Sequence, residues 1–153
     1  ANLLMSYFSQ TGHERKIGER KIYKKWLLEI IKTIWIKFEK KFLKLWETKN
    51  CGDAYPKVLF KKNSKKMILE KKMYMQNLFE ETISYAGAKI IRRIYGFAHN
   101  IDFEWIENTK VRANCEYKAS NLAIEMLKNT NSFKSINDLI KVAKRNENMK
   151  VKL

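Results

Sequence analysis

The stretch ETISYAGAKIIRRIYGFAHNID, residues 81–102, carries the pattern that decides the fold. Side chains in an α-helix advance by about 100° per residue. Small and apolar residues that recur here every three or four positions therefore share one face, namely Ile83, Ala86, Gly87, Ile90 and Ile94, with Phe79 just upstream. Such a face packs inside a protein, and Gly87 lets another backbone approach closely. The stretch predicts a helix with one buried face.

The opposite side of the same helix is polar. Glu81, Tyr85, Ala88 and Arg92 fall in line there, and Arg93 falls at the flank. Periodicity leaves two interpretations open. Arg92 is either a solvated surface arginine, paired with an acid such as Glu81, or part of a groove whose guanidinium donors bind hydroxyls or an anionic group.

The rest of the chain predicts helices joined by loops, with no alternating strand pattern. We expect helices at residues 1–10, ending near Gly12, at 20–46, at 65–96, ending at Gly96, and at 109–129. A capping-box variant from Ser135 to Asp138 opens a last helix to about residue 145. Residues 100–107 form a short segment and residues 47–64 a loop. The fold class is therefore all-α, with two long helices and three or four shorter ones.

The helix at residues 20–46 is amphipathic. Its apolar residues recur at helical spacing and predict a stripe that faces the core. This stripe comprises Ile22, Trp26, Ile30, Ile34, Phe38, Phe42 and Leu45. We expect residues 1–147 to form a single unit and residues 148–153 a frayed polar tail.

The formal net charge is +16, from 32 Lys and Arg against 16 Asp and Glu. Only six of the basic residues are arginine, and lysine is spread along the whole chain, which indicates a solvated lysine surface. The lysines and aromatics interleaved over residues 24–46 raise an alternative function, a basic helical module that binds nucleic acid or another polyanion. A third hypothesis places this helix on an anionic membrane surface. Trp26, Phe38 and Phe42 fall on the predicted core stripe, so we expect these aromatics to serve packing rather than base stacking.

Cysteine and histidine are scarce. Cys51 and Cys115, with His13 and His99, have no ligand spacing, so neither a metal site nor a disulfide scaffold is predicted, and a reducing cytoplasm fits best. The most apolar run, WLLEIIKTIWI, contains Glu29 and Lys32 and is shorter than the roughly 20 residues of a membrane span.

The order of several motifs resembles the C-terminal part of methylthioribose kinases. Residues 78–129 contain Phe-Glu-Glu-Thr, Ala-Gly-x-x-x-Ile-Arg-Arg, Gly-x-Ala-His and Asp-x-Glu-x-Ile-Glu. Residues 42–60 contain Leu-Trp followed by Gly-Asp-Ala-Tyr-Pro, and residues 1–14 resemble the helix after the metal-binding segment of the family. The resemblance covers nearly the whole sequence.

The resemblance implies a piece of the helical C-terminal lobe of a protein-kinase-like fold. The intact family uses ATP and Mg to phosphorylate the anomeric hydroxyl of 5-methylthioribose, in methionine salvage. This sequence has no Gly-rich phosphate loop, no His-Gly-Asp catalytic loop and no Asp-Pro-Glu metal motif. We therefore expect the nucleotide-binding lobe and catalytic loop to be absent, no catalytic residue and no bound ATP or Mg, and no activity for the chain alone.

The site residues follow from the same resemblance. The Arg-Arg pair of the family lies at the methylthioribose site, which makes Arg92 and Arg93 the expected substrate contacts. Tyr85 and Glu81 are added from the polar stripe alone. The expected partners are methylthioribose, a missing N-terminal lobe and, as in the family, a second copy, without specific nucleic acid or membrane binding.

Two other positions receive structural interpretations. Asp53 and Tyr55 of the Gly-Asp-Ala-Tyr-Pro segment are expected to form a turn. His99 follows the end of the central helix and is expected to interact with terminal carbonyls.

Overall fold

The computed structural model describes residues 1–17, 20–48 and 64–150 of the chain, and within these ranges it contains helices and no strand. The helices are α1 (Asn2–Ile17), α2 (Lys21–Thr48), α3 (Lys65–Tyr95), α4 (Ile101–Glu104), α5 (Thr109–Lys128) and α6 (Ile136–Glu147), with a 3-10 turn at Thr130–Ser132. The predicted all-α class is confirmed. Most of the predicted loop, including Cys51, Asp53 and Tyr55, lies outside the described residues, as do residues 151–153 of the tail.

Helix α5 is the centre of the fold. It packs against α1, α3, α4 and α6. Its inward side alternates small and large residues, and Ala119, Leu122, Ala123 and Met126 are all fully buried. Small side chains at a helix crossing let neighbouring backbones approach, and the large ones fill the space between them.

The packing of α3 on α5 confirms the face that the sequence predicts. Phe79, Ile83, Gly87 and Ile90 are buried on this side of α3. A Cβ atom added at Gly87 would lie 3.0 Å from the backbone oxygen of Ala123. A side chain at this position would therefore be crowded, and Gly87 permits the close approach of the two helices.

Helix α1 does not end near Gly12, as the sequence predicted. It continues to Ile17. A Cβ atom added at Gly12 would lie 2.3 Å from the side chain of Ile106. Gly12 thus makes room for a side chain from the segment after α4, and a helix tolerates one such glycine in its interior at a cost of about 1 kcal/mol.

The predicted core stripe of α2 is also wrong. The helix forms as expected, but Ile22, Trp26, Ile34, Phe38 and Leu45 are all exposed. The core is reached by the adjacent face, which comprises the buried Leu27 and Leu28 and the partly buried Ile31 and Trp35. Both faces are apolar, so the period of the sequence was compatible with either, and only packing against α1 and α6 selects one.

The C-terminal half of α2 contacts α3 through large aromatic rings. The ring centroids of Trp35 and Phe79 are 4.6 Å apart, and Phe42 stacks on Tyr74 at 5.7 Å. A groove of about 640 Å³ lies between these two helices. It is lined by the first half of α3, so it does not include the predicted arginines.

The helix ends follow local sequence signals. Ser64 Oγ accepts from the Met67 N–H at 3.2 Å, and Asn108 Oδ1 accepts from the Val111 N–H at 3.0 Å. At α6 the carboxylate of Asp138 accepts from the Ser135 N–H at 2.8 Å, which confirms the predicted capping box. Among the described residues, no helix is both long enough and apolar enough to cross a bilayer.

Candidate functional site

The C-terminal end of α3 places the arginine pair. The N–H of Gly96 donates to the Arg92 carbonyl at 3.0 Å and closes the helix, as predicted. A Cβ atom at Gly96 would lie 2.5 Å from that same oxygen, although the φ of −94° is ordinary for any residue. Arg92 and Arg93 thus occupy the last turn of α3, where the helix dipole favours cations.

Arg93 organises the chain that follows α3. Its Nη1 donates to the carbonyl oxygens of Ala98 and His99, at 3.2 and 3.3 Å. These contacts hold the segment between Gly96 and α4 against the helix end. The carbonyl of His99, and not its ring, is the group that the structure shows engaged here.

Arg92, Tyr85 and Glu81 are exposed on the side of α3 away from the core. Tyr85 retains 76% of its accessible surface. Eleven positions separate Glu81 from Arg92, so the two residues lie roughly 16 Å apart along the axis at 1.5 Å per residue. This span rules out the Glu81–Arg92 pair that the sequence left open. A ligand touching both would have to lie along the helix.

The sequence did not predict that Glu116 of α5 lies near Glu104 and His99, in the segment after α3. Glu116 on α5 lies within electrostatic range of His99, Arg112 and Glu104. Burial raises the pKa of the Glu116 carboxyl, while Arg112 and His99 oppose the rise. Glu104 belongs to the Asp-x-Glu-x-Ile-Glu motif, which was the one signal in the sequence for acids in the segment after α3.

Helix α4 is fixed in place by polar contacts to α1. His13 Nε2 lies 3.0 Å from the backbone oxygen of Asp102, and Asn100 Nδ2 lies 3.3 Å from the Met5 sulfur. Burial raises the pKa of the Asp102 carboxyl, and His13 opposes this effect. The acids of the motif are therefore positioned by α1 and the end of α3 together.

A second polar cluster is buried where α1, α2, α5 and α6 meet. Glu147 Oε1 accepts from Thr11 Oγ1 at 2.5 Å and from Lys24 Nζ at 2.6 Å. Lys118 Nζ donates to the Glu147 backbone oxygen at 2.5 Å. The cluster joins four helices around Glu147, through its carboxylate to α1 and α2 and through its backbone oxygen to α5. We interpret it as an anchor of the fold.

Comparisons with known proteins place these residues in context. The chain is 43% identical to methylthioribose kinase 1 of Oryza sativa subsp. japonica over 141 residues, which is 91% of this chain and 33% of that protein. It has the same identity and coverage with methylthioribose kinase 2 of rice. With the methylthioribose kinase of Escherichia coli O45:K1 (strain S88 / ExPEC) it is 34% identical over 143 residues, 94% of this chain and 34% of that protein.

No family model matches the chain. The relatives nevertheless align with 91–94% of it, so the region around Arg92 lies within the related stretch. The chain spans about a third of the length of the curated relatives it matches. It is a homologue of methylthioribose kinases that corresponds to one part of them.

Proposed function

We propose that this chain supplies the sugar-binding part of a methylthioribose kinase, an enzyme that transfers a phosphoryl group from ATP to 5-methylthioribose. The observation that carries the proposal is the 43% identity to the rice kinases over 91% of the chain. The exposed arginine at the end of α3 supports it, because guanidinium groups donate several hydrogen bonds in a fixed geometry that suits hydroxyls and phosphates.

In this proposal the two arginines have different roles. Arg92 is exposed and contacts the sugar directly. Arg93 acts by positioning, since it donates to the carbonyls of Ala98 and His99 and so fixes the segment next to Arg92. Tyr85 and Glu81 lie about two and three turns before Arg92 on the same side of α3. They would contact only a ligand that extends along the helix.

ATP and magnesium belong to the remaining parts of the enzyme. In the described ranges, no three His, Cys, Asp or Glu side chains gather to hold a metal ion. We therefore derive no metal-dependent or nucleotide-dependent step from this chain. The proposal also includes a cytoplasmic location, which the scarcity of cysteine favours, and a homodimer, which the resemblance implies.

A chimera tests this proposal. Residues 1–150 would replace the matched third of rice methylthioribose kinase 1, and ATP-dependent phosphorylation of 5-methylthioribose would be measured. We expect turnover by the chimera. A chimera that folds cooperatively and binds ATP but does not phosphorylate the sugar would overturn the proposal.

A second candidate function keeps some support. Trp26 and Phe38 are exposed, contrary to the sequence expectation, and the exposed Lys37 and Lys41 lie one and three residues from Phe38. A basic module for nucleic acid would use such rings for stacking. Fluorescence anisotropy with RNA and DNA oligonucleotides decides the matter. Affinity that differs between sequences and survives roughly 200 mM salt favours the module, whereas affinity that vanishes with salt reflects surface charge alone.

A further inference from the structure

The outward side of α2 exposes a row of large apolar side chains. We define the outer face of α2 as the exposed members of its predicted stripe, which are Ile22, Trp26, Ile34, Phe38 and Leu45. Ile22 retains 87% of its accessible surface and Ile34 55%. A row of large apolar side chains on one helix is typical of a surface that another element covers.

Lysines lie on the same side of the helix. Lys37, Lys41 and Lys44 are exposed and fall in register with Trp26 and Ile34 at three- and four-residue spacing. The outer face therefore changes along its length. Its N-terminal half is aliphatic and aromatic, and its C-terminal half alternates apolar side chains with cations.

This mixed pattern favours one kind of occupant. A helix lying in a membrane interface keeps an apolar side free of charge, which the lysines interrupt here. A second copy seated on this face would bring its own Lys37, Lys41 and Lys44 to a face that carries the same three cations. A protein surface with an apolar centre and acidic residues at one end matches both halves of the face.

The relatives show where such a surface could come from. They are about three times as long as the matched region, which is 33% of the rice kinase and 34% of the bacterial one. Resting on the proposed function, we infer that the outer face of α2 is the docking surface for the part of the kinase that this chain does not represent, and that the docking segment there is apolar with an acidic end.

The test compares one substitution in two settings. Ile34→Asp would be introduced into the free chain and into the rice chimera. In the free chain Ile34 is exposed, so we expect a melting temperature within about 1 °C of the unsubstituted chain. In the chimera the face would be covered, so we expect the melting temperature to fall by about 4 °C or more. The control is Ile124→Asp, at an exposed isoleucine of α5. It should shift the melting temperature by the same small amount in the free chain and in the chimera.

Other occupants give distinct results. Equal shifts of Ile34→Asp in the free chain and the chimera would overturn the inference. Dimerisation of the free chain that Ile34→Asp abolishes, measured by analytical ultracentrifugation, would assign the face to a second copy and overturn it as well. The inference would also be overturned if the free chain bound phosphatidylserine vesicles or an RNA oligonucleotide and Ile34→Asp abolished that binding. The melting temperature is measured without sugar or ATP, so a chimera that lacks kinase activity still tests the docking surface. Kinase activity of the chimera, in turn, does not by itself show that the outer face of α2 is covered.

Discussion

Gly87 lies where α3 and α5 come closest, and its missing side chain is a steric requirement. A Cβ atom there would stand 3.0 Å from the Ala123 oxygen and 3.1 Å from the Met126 Cβ. Alanine favours a helix over glycine by about 1 kcal/mol. We expect the steric crowding to outweigh this gain in helix propensity, so that Gly87→Ala lowers the free energy of unfolding by about 1–3 kcal/mol. Urea unfolding measures it. Ala88→Ser, at the next and exposed position, should change little, and a more stable Gly87→Ala protein would contradict the assignment.

The buried thiol of Cys115 makes stability depend on pH at the alkaline end. Burial, reinforced by the Glu147 carboxylate, raises the pKa of Cys115 from its ordinary 9.0 to about 11, against the opposing effect of Lys118 and Lys24. Between these two values the unfolded chain releases the proton and the folded chain keeps it. Stability attributable to this group is therefore complete below pH 9 and is lost as the pH rises towards 11.

Cys115→Ala isolates this contribution. Two pKa units correspond to roughly 2–3 kcal/mol. Between pH 8 and pH 11, under reducing conditions, the unsubstituted chain should lose about that much more unfolding free energy than the variant, because all other titrations are common to both. If urea unfolding showed the same loss of unfolding free energy for the unsubstituted chain and for Cys115→Ala, the fold would not hold the thiol protonated.

At the scale of single elements, the carboxylate of Asp138 starts α6. It accepts from the N–H groups of Ser135 and Lys134, at 2.8 and 3.1 Å. Asp138→Ala should cost about 1 kcal/mol of stability, as the loss of a capping side chain usually does, and should speed hydrogen exchange in the first turn of α6. Lys141→Ala, an exposed change on the same helix, is the control. Unchanged exchange in Asp138→Ala would mean that packing alone holds this helix start.

Local signals explain which elements the sequence could predict. The starts and ends of α3, α5 and α6 depend on caps such as Ser135 and Gly96, which act within a few residues. Gly12, where the sequence predicted the end of α1, instead lies inside the helix and makes room for Ile106, a side chain far along the chain. The buried face of α2 depends on α1 and α6, since two apolar faces compete and neither is marked in the sequence.

The same distinction holds for the candidate site. The outward direction of Arg92 followed from helical period. The contacts of Arg93 to the segment after α3, and the position of Glu116 beside His99, join α3, the α4 region and α5. No local pattern encodes such contacts, so they required the structure. The placement of Arg92 and Arg93 at a sugar remains a prediction drawn from resemblance.

At the scale of the whole molecule, the described helices build a core around α5 and leave the outer face of α2 and the end of α3 exposed. The relatives extend over about three times the matched length. In the two proposals made above, these exposed regions are the docking surface at α2 and the sugar site at Arg92.

Kinetics of Arg92→Ala in the rice chimera test the central claim most directly. Loss of a charge-assisted hydrogen bond costs about 1.5–3 kcal/mol, so we predict that kcat/KM for 5-methylthioribose falls by roughly 10- to 100-fold. The KM for ATP should stay within about twofold, and Lys72→Ala, at an exposed lysine early in α3, should leave both values unchanged. Undiminished kcat/KM for the sugar in a folded Arg92→Ala chimera would contradict the account.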